Sequence, residues 1–295
     1  MKVLLTGAQG MLGRHWHHAM KARGWTVTAF SRSDLDITSP ETVSRAVETI
    51  RPEWVANAAA YADVDGCELN PVRADAVNRW GPSNLAAACR RSHAILFHLS
   101  TDYIFDGLSP HPYREADAPN PLSVYGRSKW QGESAVRESG TDFCLVRTSW
   151  LYAEWGRNFV LTIRDLAGKG QPLRVVNDQI GAPTFAGDLA EALCRLMEAG
   201  AQGVFHVTNA GFTSWYGLAG EILRLLGLEV PLAAISSTEL SRPATRPANS
   251  RLDDTHFKEW GLEPLRSWNS ALADCLGRIS DDFNRLGAPV GVGKR

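Results

Sequence analysis

The glycine run Gly7-Ala8-Gln9-Gly10-Met11-Leu12-Gly13 constrains this chain more than any other feature, because it follows directly on the apolar segment Val3-Leu4-Leu5-Thr6. A short apolar run suits a strand buried on both faces. A helix pattern then continues to about Gly24. A strand that turns through glycines into a helix aims backbone N–H groups and a helix N-terminus at one point, as a pyrophosphate requires. The spacing is G-x-x-G-x-x-G rather than the usual G-x-G-x-x-G. The position after an N-terminal strand therefore carries more weight than the glycines alone.

The alternation continues for half the chain. Thr26-Val27-Thr28-Ala29-Phe30 is β-branched and aromatic and reads as a second strand. Ser39-Pro40 reads as an N-cap with proline at N1, starting a helix to about Ile50. Residues 54–57, 94–99 and 142–147 read as further strands. Between them lie a helix from about Pro71 to Arg91, broken near Gly81-Pro82, and a helix carrying Tyr125 to about Glu138. Strands alternating with helices of this length predict an α/β fold, a Rossmann-type doubly wound parallel sheet over residues 1–150.

Beyond Trp150 the pattern is mixed: helices near 158–167, 187–198 and 214–226, strands at 173–176 and 204–207, and an irregular Ser/Pro/Arg-rich loop at 236–249. This predicts a smaller C-terminal α/β substrate-binding domain over residues 151–286 that closes on the sheet's carboxyl edge. Some of its segments are expected to return to the main sheet, and residues 287–295 read as a loose tail.

Composition excludes other classes. The 295 residues suit about two domains. A net charge of −1 gives no reason to expect nucleic acid or an anionic membrane as partner. The five cysteines are scattered and without C-x-x-C spacing, so they read as reduced thiols. No apolar run approaches a membrane span, and the N-terminus lacks a signal-peptide layout. A soluble cytoplasmic chain with a small-molecule partner is expected, monomer or homodimer.

Ser31 and Arg32 follow the second strand, where a nearby arginine suits a 2′-phosphate and an acid would suit a free ribose hydroxyl. NADPH is favoured, with NADH left open. Asp36 and Ile37 could meet the adenine with a carboxylate and an apolar wall. Asn57-Ala58-Ala59-Ala60 ends the third strand in small residues, leaving room for a cofactor. Tyr125 and Lys129 stand at i and i+4 on one helix face. Ketone reduction needs a proton as well as a hydride, and a neighbouring ammonium is expected to lower the phenol's pKa from about 10. Thr101 follows the fourth strand, at the end of the sheet where ligands bind.

Together these residues resemble the extended short-chain dehydrogenase/reductase family over nearly the whole chain. The matching stretches are residues 5–13, 57–65 (NAAAYADVD), 100–105 (STDYIF), 124–129 (VYGRSK), 147–152 (RTSWLY), 177–184 (NDQIGAPT) and 246–252 (RPANSRL). NDQIGAPT and RTSW are much more specific than Tyr-x-x-x-Lys. The resemblance implies reduction of the C4 ketone of a dTDP-4-dehydro sugar, with dTDP-4-dehydro-L-rhamnose giving dTDP-L-rhamnose. It implies a catalytic set of Thr101, Tyr125 and Lys129. It sets Gly7, Gly10, Met11, Leu12, Gly13, Ala58, Ala60, Tyr61, Ala62 and Leu99 around the dinucleotide, with Asp36 and Ile37, and has Lys129 hold the nicotinamide ribose. It sets Thr101, Asp102 and Trp150 near the sugar nucleotide, with Asp65 and Tyr103 beside them. Some relatives join through magnesium held by a glutamate early in the first helix. Here that region reads Arg14-His15-Trp16-His17-His18, and imidazole is a poor hard-cation ligand, which leaves magnesium and dimerisation open. His15 and His18 at i, i+3 read more simply as an exposed helix face. No metal is assigned.

Alternatives remain: a reductase or epimerase of another nucleotide sugar, and a non-catalytic subunit like the regulatory partner of methionine adenosyltransferase. A 4,6-dehydratase is disfavoured, because Asp102 is followed by Tyr103 and not by a second acid.

Overall fold

In the computed structural model, residues 1–285 are described, with the side chains of 1–279; the tail expected at 287–295 lies outside them. The chain opens with β1 (Lys2–Thr6), α1 (Met11–Ala22), β2 (Thr26–Phe30), α2 (Pro40–Ile50) and β3 (Trp54–Asn57). Ser39 caps α2 by accepting the Thr42 N–H, with Pro40 at the first turn, as the sequence predicts. A short helix the pattern did not announce, α3 (Val64–Leu69), follows, capped by the Asp63 carboxylate on the Gly66 N–H at 3.0 Å. Then come α4 (Pro71–Asp75), a π-helical turn (Ala76–Trp80), α5 (Gly81–Ser92), β4 (Ile95–Thr101), α6 (Val124–Glu138) and β5 (Phe143–Thr148).

The break expected near Gly81-Pro82 is instead a widened turn just before it, and the helix continues beyond. Pro82 has no N–H to offer the carbonyl of Asn78, so the coil loosens there. The freed Asn78 carbonyl lies against α6, where a Cβ on Gly132 would stand 2.1 Å from it.

The remaining elements are β6 (Leu151–Tyr152), α7 (Phe159–Ala167), β7 (Leu173–Val176), β8 (Ile180–Gly181), β9 (Thr184–Phe185), α8 (Ala186–Glu198), β10 (Gly203–His206), β11 (Thr213–Ser214), α9 (Trp215–Leu226), β12 (Leu232–Ile235), α10 (Thr255–Glu259) and α11 (Trp268–Arg285). The main sheet has six strands in the order β10-β5-β4-β3-β1-β2, all parallel. Thus β10 returns from the C-terminal half to extend the N-terminal sheet, and α8 packs on α1.

Side chains alternate across the strands. Val3, Leu5 and Phe97 point into the core under α1 and α8, while Leu4, Val55 and Leu96 point into the core under α2 and α5. A separate core joins α7, α9, α11 and β7 through Val160, Ile163, Ile222 and Leu272. No helix among the described residues is long and apolar enough to cross a membrane. All five cysteines are buried free thiols.

The strand order reverses between β1 and β3, so a crevice opens beyond their carboxyl ends. There Gly7, at φ +67°, runs so close to β3 that a Cβ would meet the Ala58 carbonyl carbon and Ala59 nitrogen at 2.6 Å. Only glycine meets both demands.

Candidate active site

The side chains expected to react stand at the carboxyl end of β4 and the start of α6. Thr101 caps a 3₁₀ turn, Asp102–Ile104; its hydroxyl accepts the Tyr103 N–H at 3.2 Å and donates to Asp102 Oδ1 at 2.9 Å. α6 starts under two caps: Ser123 Oγ accepts the Gly126 N–H at 3.1 Å, and Glu68 accepts the Val124 N–H at 2.7 Å. Gly126 lets the helix press on the 3₁₀ turn, since a Cβ would stand 2.2 Å from the Tyr103 carbonyl oxygen. Tyr125 is thereby carried against the Tyr103 ring, centroids 5.7 Å apart, and within reach of the Thr101 hydroxyl. One turn on, buried Lys129 donates from Nζ to the Leu99 carbonyl at 2.5 Å.

Electrostatics depart from the sequence expectation at one point. Burial pushes the Tyr125 phenol's pKa up, Asp102 and Tyr103 push the same way, and the Thr101 hydrogen bond only partly opposes them. Lys129 does not pull it down. Burial lowers the lysine itself to about 8, against the opposing charge of Glu133. Tyr125 is therefore a neutral phenol at physiological pH, the form that donates a proton. Burial also raises Asp102 to about 7, with the Ser250 and Thr101 hydroxyls opposing.

Beneath the site a buried polar chain fixes β3. Thr6 donates to Asn57 Oδ1 at 2.7 Å, the Ala59 N–H reaches the same oxygen at 3.1 Å, and Asn57 Nδ2 lies 2.9 Å from His98 Nδ1. Burial, with Lys129 nearby, holds His98 neutral.

One cleft of about 1190 Å³ runs from the glycine loop to the C-terminal half. Gly10, Met11, Leu12, Gly13, Ala58, Ala60, Ala62, Asp65, Leu99, Thr101, Asp102, Tyr103, Tyr125, Lys129 and Trp150 all line it. Asp65 also spans it, bound by Arg246 at 2.8 Å and by the Ala244 N–H at 3.2 Å. Six expected residues are not among the lining, the first being Gly7, which presses on the Ala58 backbone instead. The Ser31 hydroxyl donates to Asp34 at 2.5 Å, and Arg32 is exposed. Asp36 accepts from the Thr38 N–H and hydroxyl. Ile37 is buried under α5 against Gly81. Tyr61 is held by Asn78 at 2.8 Å under the Arg73 guanidinium. Nor is His15 a bare helix face: it bonds Glu154 at 2.8 Å and stacks on Trp155.

Two supporting residues carried no sequence motif. Asn78, on the π turn, bonds both the Tyr61 backbone and Ser128 of α6. Glu68 caps the helix of Tyr125 from an unforeseen helix. Asp63 three residues before Gly66, followed by Glu68, was the available signal.

The cleft fits a dinucleotide. The first turn of α1 carries no acid and its N-cap is Gly10, so its amides are free for phosphate. The buried hydroxyls of Ser100 and Thr148 line the cleft without a hydrogen-bond partner. Such groups cost stability unless a ligand or water meets them.

Comparison with known proteins agrees. A dTDP-4-dehydrorhamnose reductase of Streptomyces griseus is 44% identical over 97% of this chain and 96% of its own length. A dTDP-4-keto-6-deoxy-D-glucose reductase of Streptomyces niveus is 40% identical over 95% and 98%. The crystal structure of dTDP-4-dehydrorhamnose reductase from Bacillus anthracis in complex with NADP superposes at a TM-score of 0.91, with 34% identity over 94% of this chain and 100% of that one. The model of the RmlD substrate binding domain matches residues 1–280, and the chain belongs to that family.

Proposed function

We propose that this chain reduces the C4 ketone of dTDP-4-dehydro-L-rhamnose to dTDP-L-rhamnose, with NADPH as reductant. The observation that carries the reading is the complete set of Thr101, Tyr125 and Lys129 in one cleft with the glycine loop. Bound NADPH supplies the hydride. Tyr125, neutral in its buried setting, donates the proton to the C4 oxygen. Thr101 orients that oxygen through its hydroxyl. Lys129, anchored on the Leu99 carbonyl, holds the nicotinamide ribose. Trp150 supplies an apolar face to the deoxysugar. Arg32 stands exposed at the end of β2, where a 2′-phosphate would lie.

A second reading has its own support: the Streptomyces niveus relative acts on dTDP-4-keto-6-deoxy-D-glucose at comparable identity. NADPH oxidation measured with each ketone separates the two. Higher kcat/KM with the L-rhamnose precursor supports the first reading, and higher kcat/KM with the D-glucose derivative supports the second. No turnover of either by folded protein, with tight binding to another polypeptide, supports the regulatory-subunit alternative.

A further inference from the structure

Three stretches that carry the family resemblance, RTSWLY, NDQIGAPT and RPANSRL, meet at Gly181. Trp150 has a backbone φ of +45°, a region a bulky residue rarely adopts. Its carbonyl accepts the Thr184 N–H at 3.2 Å, and its indole stacks on Trp215 with centroids 3.6 Å apart and planes 6° from parallel. Gly181 itself lies outside the left-handed region, so its backbone does not demand glycine. Space does. A Cβ there would stand 2.5 Å from Trp150 Cε2 and 2.6 Å from Nε1, with Ser250 Oγ at 2.8 Å. The indole cannot slide away, because its neighbour Trp215 and its tied backbone both hold it.

We propose that Gly181 is a positioning residue: the side chain it lacks is the slot that seats the Trp150 indole on Trp215, and so sets the apolar wall at the sugar end of the cleft. The inference rests on the reading of Trp150 as a substrate contact. Ser250 Oγ borders the same slot, 2.8 Å from where that Cβ would stand, and lies by the buried Asp102 carboxyl.

The test is a double-mutant cycle. Gly181→Ala is expected to raise KM for dTDP-4-dehydro-L-rhamnose about tenfold, while the Kd for NADPH, read by nicotinamide fluorescence, stays within about twofold. In a Trp150→Phe background the smaller ring leaves room, and Gly181→Ala is expected to change KM by less than about twofold. An unchanged KM in the single variant, or the same factor in both backgrounds, overturns the proposal. Should Gly181→Ala fail to fold, Trp215→Leu removes the stacking partner without a clash. It is expected to raise KM about fivefold at unchanged NADPH affinity, and an unchanged KM overturns the proposal. Affinity for dTDP-L-rhamnose is measured by calorimetry in every variant, so the slot is tested even if the wild-type chain proves not to turn over the ketone. That last outcome would refute the proposed reaction alone.

Discussion

Burial reinforces the neutral form that Tyr125 already holds near neutral pH. Because its pKa is raised, no loss of proton-donating form is expected across the neutral range. Tyr125→Phe is expected to lower kcat by roughly 10²–10⁴-fold with NADPH affinity within about twofold; a small loss in kcat would remove Tyr125 as the acid. Asp102 has a folded pKa of about 7 against an ordinary 3.8. The folded state then holds more protons than the unfolded state between those values. Stability from this group is present at low pH and falls as pH rises through that window. Asp102→Asn is expected to raise the thermal midpoint at pH 8 relative to wild type and to narrow the difference at pH 5, as followed by circular dichroism. That Thr101, Tyr125 and Lys129 share one cleft was readable in the sequence, from their places after β4 and at i, i+4 on one helix. The direction of the tyrosine shift was not, because it depends on how deeply the 3₁₀ turn and α6 bury the phenol.

Among the elements, α6 shows how structure serves chemistry. It is capped from α3, pressed on the 3₁₀ turn by Gly126, and tied to β5 by a fully buried ion pair between Glu133 and Arg147 at 2.8 Å. Arg147 also donates to the Glu115 carbonyl at 3.2 Å. The arginine of the RTSW stretch thus anchors the helix that carries Tyr125 and Lys129. Glu133→Gln leaves a buried charge without its partner. It is expected to cost about 3–5 kcal/mol and to lower the thermal midpoint by roughly 10 °C. Glu133→Leu with Arg147→Met together should recover much of the loss. Calorimetric melts of the three proteins decide it, and equal losses in single and double variants would contradict the anchor role. The six strands of the main sheet and α2 were legible from apolar and β-branched runs and the Ser39-Pro40 cap, whereas the two-residue strands β6, β8, β9 and β11 and the strand β12 were not. α3 was not, because its few residues carry no apolar stripe, and the π turn was not, because a missing proline N–H shows only as a break.

For the whole molecule, the decisive arrangement is the reversal of strand order between β1 and β3, which opens the crevice where the glycine loop and the β4 end face one another. Alternation of strands and helices was enough to expect it. The return of α8 and β10 to the first sheet follows from tertiary burial of Leu189, Leu193 and Phe205, and local pattern does not encode which core a segment joins. The proposed preference for NADPH also belongs to this scale, since Arg32 stands exposed just beyond β2, outside the residues that line the cleft. Arg32→Ala is expected to weaken NADPH by tenfold or more, the loss of a charge-assisted contact, and NADH much less; equal losses in a fluorescence titration would show that Arg32 does not read the 2′-phosphate. The central claim is tested most directly by incubating the chain with dTDP-4-dehydro-L-rhamnose and NADPH deuterated at the transferring position. Deuterium at C4 of dTDP-L-rhamnose, seen by NMR and lost with Tyr125→Phe, is the expected result; folded protein that yields no C4-labelled product would contradict it.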